Sequence, residues 1–190
     1  MVTERAPFDV VEASVEVWLE RWDDPAAASG MAVFAGLLRS YQLIQAEVDV
    51  VMRRHGLTFG RYEVLAWLAT EPEPTLTLSW ISRTLKMPPA TLTNVIDFLE
   101  GKGLIRRVAH PTDARTTLAV TTAKGRQLAD RMTQELNTEV YQRIPLSEKS
   151  RQALIELLRE LRVKGNEFDL DRNEDVIGGL RAKSPRGARV

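Results

Sequence analysis

Apolar residues recur at every third or fourth position through most of this chain, the period of a helix that packs on one side. Phe8, Val11, Val15, Trp18, Leu19 and Trp22 predict a first helix over 8–22, stopped by Asp23-Asp24-Pro25. Phe34, Leu37, Leu38, Tyr41, Ile44, Val48, Val51 and Met52 predict a longer one over 31–55. Gly56 follows it as the left-handed residue that ends a helix. Thr58 caps a third predicted helix, with Tyr62, Leu65, Ala66, Leu68 and Ala69 on its stripe, and Glu71-Pro72-Glu73-Pro74 ends it.

The centre of the chain changes rhythm. Thr75-Leu76-Thr77-Leu78 is short and β-leaning, and Ser79 can cap a brief helix with Ile81, Leu85 and Met87 inward. Pro88-Pro89 breaks the chain, and Pro89 suits the first position of the next helix, which runs to Gly101 with Leu92, Val95, Ile96 and Leu99 buried. Two runs of β-formers, 104–109 and 116–121, flank the turn-prone His110-Pro111-Thr112-Asp113-Ala114-Arg115, which predicts a hairpin. Helical period returns over 123–144 with Leu128, Met132, Leu136, Val140 and Ile144. Pro145 breaks it, Ser147 can cap, and Leu154, Leu157, Leu158 and Leu161 form a last stripe.

The expected fold is mainly α with a small β-hairpin wing. It divides into N-terminal helices over 1–55, a winged helix-turn-helix over 56–126, C-terminal helices over 127–166 and a Gly-rich, basic, flexible tail over 167–190.

Composition narrows the chemistry. The 190 residues include no Cys and two His, which excludes disulfides, thiolate metal sites and cysteine redox sensing, and makes a multi-histidine metal site unexpected. No cofactor is expected. The longest uncharged stretch, Pro25 to Leu38, is 14 residues, short of the ~20 of a spanning helix. The opening MVTERAPFDVV lacks the pattern of a signal peptide, so a soluble cytoplasmic protein is expected. Gly-rich phosphate loops, HExxH and GxSxG are all missing, so no enzyme is expected.

The net charge is zero, but it is unevenly spread. Residues 1–75 carry 6 basic and 12 acidic side chains, residues 76–126 carry 8 and 3, and residues 127–190 carry 12 and 11. A positive central block in a neutral chain marks one module for an anionic partner.

That block orders its elements as a DNA-binding winged helix does, with one helix free to enter a major groove. Opposite the buried row of the 89–101 helix stand Thr91, Thr93, Asn94 and Asp97. Asn suits adenine, a Thr methyl suits the thymine methyl, and Asp accepts from cytosine N4. Arg115 at the hairpin tip suits a narrow minor groove, with Asp113 orienting its guanidinium. Arg83, Lys86, Arg106 and Arg107 are placed to neutralise phosphates. On an arbitrary helix the same polar residues would simply face solvent, and Asp113–Arg115 would be an ordinary surface ion pair.

Together, HGLTFGRYEVLAWL (55–68), LSWISRTLKMPPATLTNVIDFLEGKGLIRR (78–107) and HPTDARTTLAVTTAKG (110–125) resemble the MarR family of bacterial transcription regulators. The resemblance covers about residues 31–165. Its most specific parts are Leu-Glu-x-x-Gly-Leu at Leu99 to Leu104, the Asp-x-Arg of Asp113 and Arg115, and Thr-x-x-Gly at Thr122 to Gly125. It implies a homodimer whose first and last helices interlock, each subunit offering a winged helix to a palindromic operator. Long apolar stripes left over from a small central module fit that expectation, because such stripes usually find a partner helix. Two departures stand out. Met87-Pro88-Pro89 occupies a turn where a Ser or Thr cap is common, and the groove face carries no Arg or Lys, so A·T-leaning readout is expected.

The resemblance also implies repression released by a small aromatic or phenolic ligand held between the dimer helices and the winged helix. Tyr41, His55, Arg61, Tyr62 and Trp67 lie on the helices that would wall such a cavity. Tyr62 and Trp67 fit the core equally well, and His55 fits a helix end. The rival reading is a winged helix that binds a protein partner and no DNA.

Overall fold

The computed structural model describes residues 6–70, 76–109 and 117–168. The chain forms two compact units, residues 1–143 and 144–190. The predicted tail over 167–190 lies outside the described residues from 169 onward.

In the first unit, α1 (Val10–Trp22) is capped by Asp9, whose carboxylate accepts from the N–H of Val11 at 2.8 Å. Two adjacent aspartates then do opposite jobs. Asp23 ends α1 in the left-handed conformation, φ 48°, and Asp24 caps α2 (Pro25–Arg54) by accepting from Ala27 N–H at 3.0 Å. Helix α2 thus begins six residues before the predicted 31. Asp-Pro is both a stop and a start, because Pro lacks only an N–H that the first helical turn leaves unpaired anyway. At about 1.5 Å per residue its 30 residues extend about 45 Å. Its far end closes over Gly56, φ 65°, with Leu57 N–H donating to the Met52 carbonyl at 3.2 Å.

Helix α3 (Phe59–Thr70) starts after Thr58, as predicted. The cap of α4 (Leu78–Thr84) is Thr77 rather than Ser79: its hydroxyl accepts from Trp80 N–H at 3.1 Å. Among the described residues of the β-leaning segment, from 76 onward, the pairing is a single bridge, Thr77 to Leu118, because Thr77 is already the cap of α4. Helix α5 (Pro89–Gly101) buries the predicted row, Leu92, Val95, Ile96 and Leu99, to between 0 and 8% exposure. Strands β1 (Ile105–Ala109) and β2 (Thr117–Thr121) pair antiparallel, with Arg107 opposite Ala119.

A close joint follows. Thr122 caps α6 (Ala123–Glu139) by accepting from Gly125 N–H at 3.0 Å, and its own hydroxyl donates to the Gly103 carbonyl at 2.8 Å. A Cβ on Gly125 would sit 2.0 Å from the Leu104 carbonyl oxygen, so only glycine lets α6 approach the hairpin base. Helix α6 ends at Glu139, five residues before the predicted 144, and a 3-10 turn follows over Tyr141–Arg143. Pro145 bars its predecessor from helical geometry, and the chain tightens before it. One core joins α2, α3, α4, α5, the hairpin and α6, from Val51 and Met52 through Leu65, Ile81 and Ile96 to Met132 and Leu136.

The second unit is built around α7 (Glu148–Lys164), capped by Ser147 as predicted. Leu154, Ile155, Leu157 and Leu161 of its apolar stripe are exposed.

Candidate nucleic-acid interface

Helix α5 owes its form to its sequence. Pro89 fixes the first helical φ, and Pro88 supplies no side-chain cap, so the N–H groups of the first turn have no side-chain acceptor. Four apolar residues then commit one face to the core. Thr91, Thr93, Asn94 and Asp97 are left on the exposed face, where the sequence places them. Thr93 donates its hydroxyl back to the Pro89 carbonyl at 2.9 Å, which leaves its oxygen partly engaged.

The turn into α5 is held by Ser82, whose hydroxyl donates to the Met87 carbonyl at 2.7 Å, while Lys86 takes a left-handed φ of 48°. Arg83 is exposed on α4 and lines a groove of about 380 Å³ shared with Ser79, Pro89, Leu92 and Thr93. Arg83 of α4 and Thr93 of α5 therefore flank one cleft.

On the wing, Arg106 is exposed, and Arg107 behaves differently. Its guanidinium bonds Asp97 through one terminal nitrogen and Glu100 through the other, and its backbone N–H donates to Glu100 Oε1 at 2.9 Å. The backbone bond from Arg107 and then its guanidinium hold the Glu100 carboxyl below the usual glutamate range. The bond to Asp97 leads the causes that raise the Arg107 guanidinium further. Two residues from the predicted contact set thus bond each other. Asp113 and Arg115, the predicted wing-tip pair, lie outside the described residues.

The five residues expected around a ligand separate. Tyr62 is buried, with its hydroxyl 2.9 Å from that of Thr133, and Trp67 meets Trp80 edge-on at 5.8 Å. Both line a groove of about 370 Å³ between α3 and α6, with Ala66, Thr70 and Asp130. His55 does not join them: its Nε2 lies 2.9 Å from Glu135, beside a two-bond pair of Arg54 with Glu139, and these tie α2 to α6. Arg61 stacks on Phe98 of α5 at 3.6 Å to the ring centroid, and Tyr41 is exposed on α2. Burial pushes the Glu63 carboxyl of α3 up.

Sequence reasoning missed Glu100, Lys102 and Lys124. Glu100 stands three residues after Asp97, on the same helical face, which was the available signal. Lys102 stands over the Phe98 ring at 5.7 Å, and Lys124 donates to the Lys102 carbonyl at 2.8 Å. Among the described residues no group of three or more His, Cys, Asp or Glu side chains is placed to hold a metal ion. No helix among them is long and apolar enough to cross a membrane.

Comparison with known proteins adds to this geometry. Residues 55–116 match the sequence profile of the MarR family. A MarR family transcriptional regulator from Streptomyces coelicolor has a solved structure that is 32% identical, with a TM-score of 0.66, covering 74% of this chain and 98% of its own. The HTH-type transcriptional regulator MhqR of Bacillus subtilis is 29% identical over 139 residues, 73% of this chain and 94% of that protein. A second Streptomyces coelicolor MarR family regulator, solved in complex with DNA, shares the fold with a TM-score of 0.62 at 24% identity, over 75% of this chain and 92% of its own.

Proposed function

The chain belongs to the MarR family of transcriptional regulators, and from that premise we propose that it is a homodimeric, sequence-specific DNA-binding repressor. Two copies of α5 enter the major groove of a palindromic operator, one per half-site, and each hairpin lies along the adjacent minor groove. The observation that carries this reading is the division of α5: a fully buried apolar row on one side, and Thr91, Thr93 and Asn94 exposed on the other. A helix that must enter a groove about 12 Å wide needs that outer face. The DNA complex of the Streptomyces coelicolor relative supports it by analogy of fold.

Asn94 and the methyl groups of Thr91 and Thr93 read base edges, with A·T pairs favoured. Arg83, Lys86 and Arg106 neutralise phosphates, and Arg115 with Asp113 enters the minor groove. Dimerisation falls to the helices outside the winged helix, over 1–55 and 127–166. Val33, Phe34, Leu38, Tyr41, Leu43 and Ile44 of α2 support it, because all are exposed large apolar residues in this single chain. A small aromatic or phenolic ligand releases the DNA, and the α3–α6 groove beside Tyr62 and Trp67 is its receptor.

The test is binding of the purified protein to DNA upstream of its own gene and to unrelated DNA, at two salt concentrations. The expected result is a preference of about 10³-fold or more for the upstream fragment, weakening with salt. Footprinting should then show two protected half-sites about one helical turn apart. Equal, weak binding to both fragments would point instead to targets elsewhere or to a protein partner. Phenolic and aromatic acids that neither shift the melting temperature nor release DNA would remove the ligand from this reading.

A further inference from the structure

Resting on the DNA-binding reading above, we propose that Asp97 determines specificity by guarding Arg107 against indiscriminate contact with the DNA backbone. Asp97 lies on the exposed face of α5, four residues after Thr93 and three after Asn94, so it shares the row of the groove-facing side chains. One oxygen of its carboxylate is committed within the chain. It bonds a terminal nitrogen of Arg107, the very group a phosphate would take.

Glu100 and Asp97 divide the labour. Glu100 holds the Arg107 backbone and one guanidinium nitrogen together, so Arg107 keeps its place on β1 whatever Asp97 does. Asp97 adds the second carboxylate. Two carboxylates around one guanidinium leave this corner with a net charge of −1 where the central block is otherwise positive. A phosphate approaching Arg107 must therefore displace Asp97 or sit beside an uncompensated negative charge. Sequence-independent backbone attraction is weakened at that point, while base contacts from Thr91 and Asn94 are untouched. The operator thus keeps its advantage over the many competing random sites.

The experiment measures binding of the full chain to random-sequence duplex and to its upstream fragment across a salt series. Four proteins are compared: wild type, Asp97→Asn, Arg107→Gln and the double variant. Asp97→Asn should bind random duplex about five- to tenfold more tightly at low salt and steepen the log–log salt slope by about 0.9, one added phosphate. The ratio of upstream to random affinity should fall. In the Arg107→Gln background, Asp97→Asn should change neither slope nor ratio. Equal tightening with and without Arg107 would mean a general charge effect and overturn the guarding role. An unchanged slope would overturn it too, as would a loss confined to the upstream fragment, which would mark Asp97 as a base reader. If only the guard fails, wild type still prefers its upstream fragment; if the DNA reading itself fails, wild type shows no salt-dependent binding to either duplex.

Discussion

Helices α5 and α2 handle apolar residues in opposite ways. Every aliphatic residue on the inner face of α5 is buried against its own chain. Helix α2 is more than twice as long, yet only Ala28, Val48, Val51 and Met52 are buried, while Phe34 and Leu43 are 68% and 70% exposed. The winged helix thus covers its apolar row within one chain, whereas much of the apolar surface of α2 stays exposed. A mutation in the first should act on folding, and one in the second on assembly.

The largest effect expected on that contrast is Gly125→Ala. Its new Cβ meets the backbone oxygen of Leu104, which cannot swing aside as a side chain would. A loss at or above the ~3 kcal/mol upper end of ordinary overpacking is expected in denaturant unfolding. An alanine variant as stable as wild type would show that the joint is loose. Next comes Leu38→Glu combined with Ile44→Glu on α2. Sedimentation should report a monomer, near-UV circular dichroism should stay native, and operator affinity should fall by about 10²-fold or more as the second half-site contact is lost. A variant that unfolds instead would place these residues in the folding core and dissolve the contrast.

Smaller effects sharpen it. Asn94→Ala or Thr91→Ala should cost ~1–3 kcal/mol at the operator and relax preference at one base position, with stability unchanged. Smallest is the acid dependence of the Arg54–Glu139 pair that ties α2 to α6. The bond from Arg54 holds the Glu139 carboxyl below its usual range. A depressed carboxyl contributes stability that is present above the ordinary glutamate value and lost as pH falls through the folded one. Glu139→Gln should therefore melt slightly below wild type near pH ~6, and the gap should close near pH ~3.

Sequence alone showed the inner row of α5, the caps at Thr58 and Ser147, and the hairpin strands to within a residue. Each rests on local periodicity or on a cap next to its own helix. The start of α2 escaped because Ala26 to Gly30 offers no periodic stripe, and Asp24-Pro25 signals a stop as readily as a start. The cap at Thr77 was masked by Ser79 two residues on. The engagement of Arg107 by Asp97 was invisible for a different reason: ten residues separate them, and only the folded hairpin brings the strand back to the helix. The exposed face of α5 was legible as a face, whereas the partners of its charges were not.

The joint at Gly125 has a mechanical consequence. With no clearance between α6 and the Leu104 carbonyl, and with Thr122 gripping the Gly103 carbonyl, α6 cannot roll about its axis without carrying the hairpin base with it. Helix and hairpin form one bent lever with its fulcrum at the Gly103-Leu104 turn. A rotation of α6 would therefore reach the strands through that joint, and a bulkier residue at Gly125 would force the joint apart.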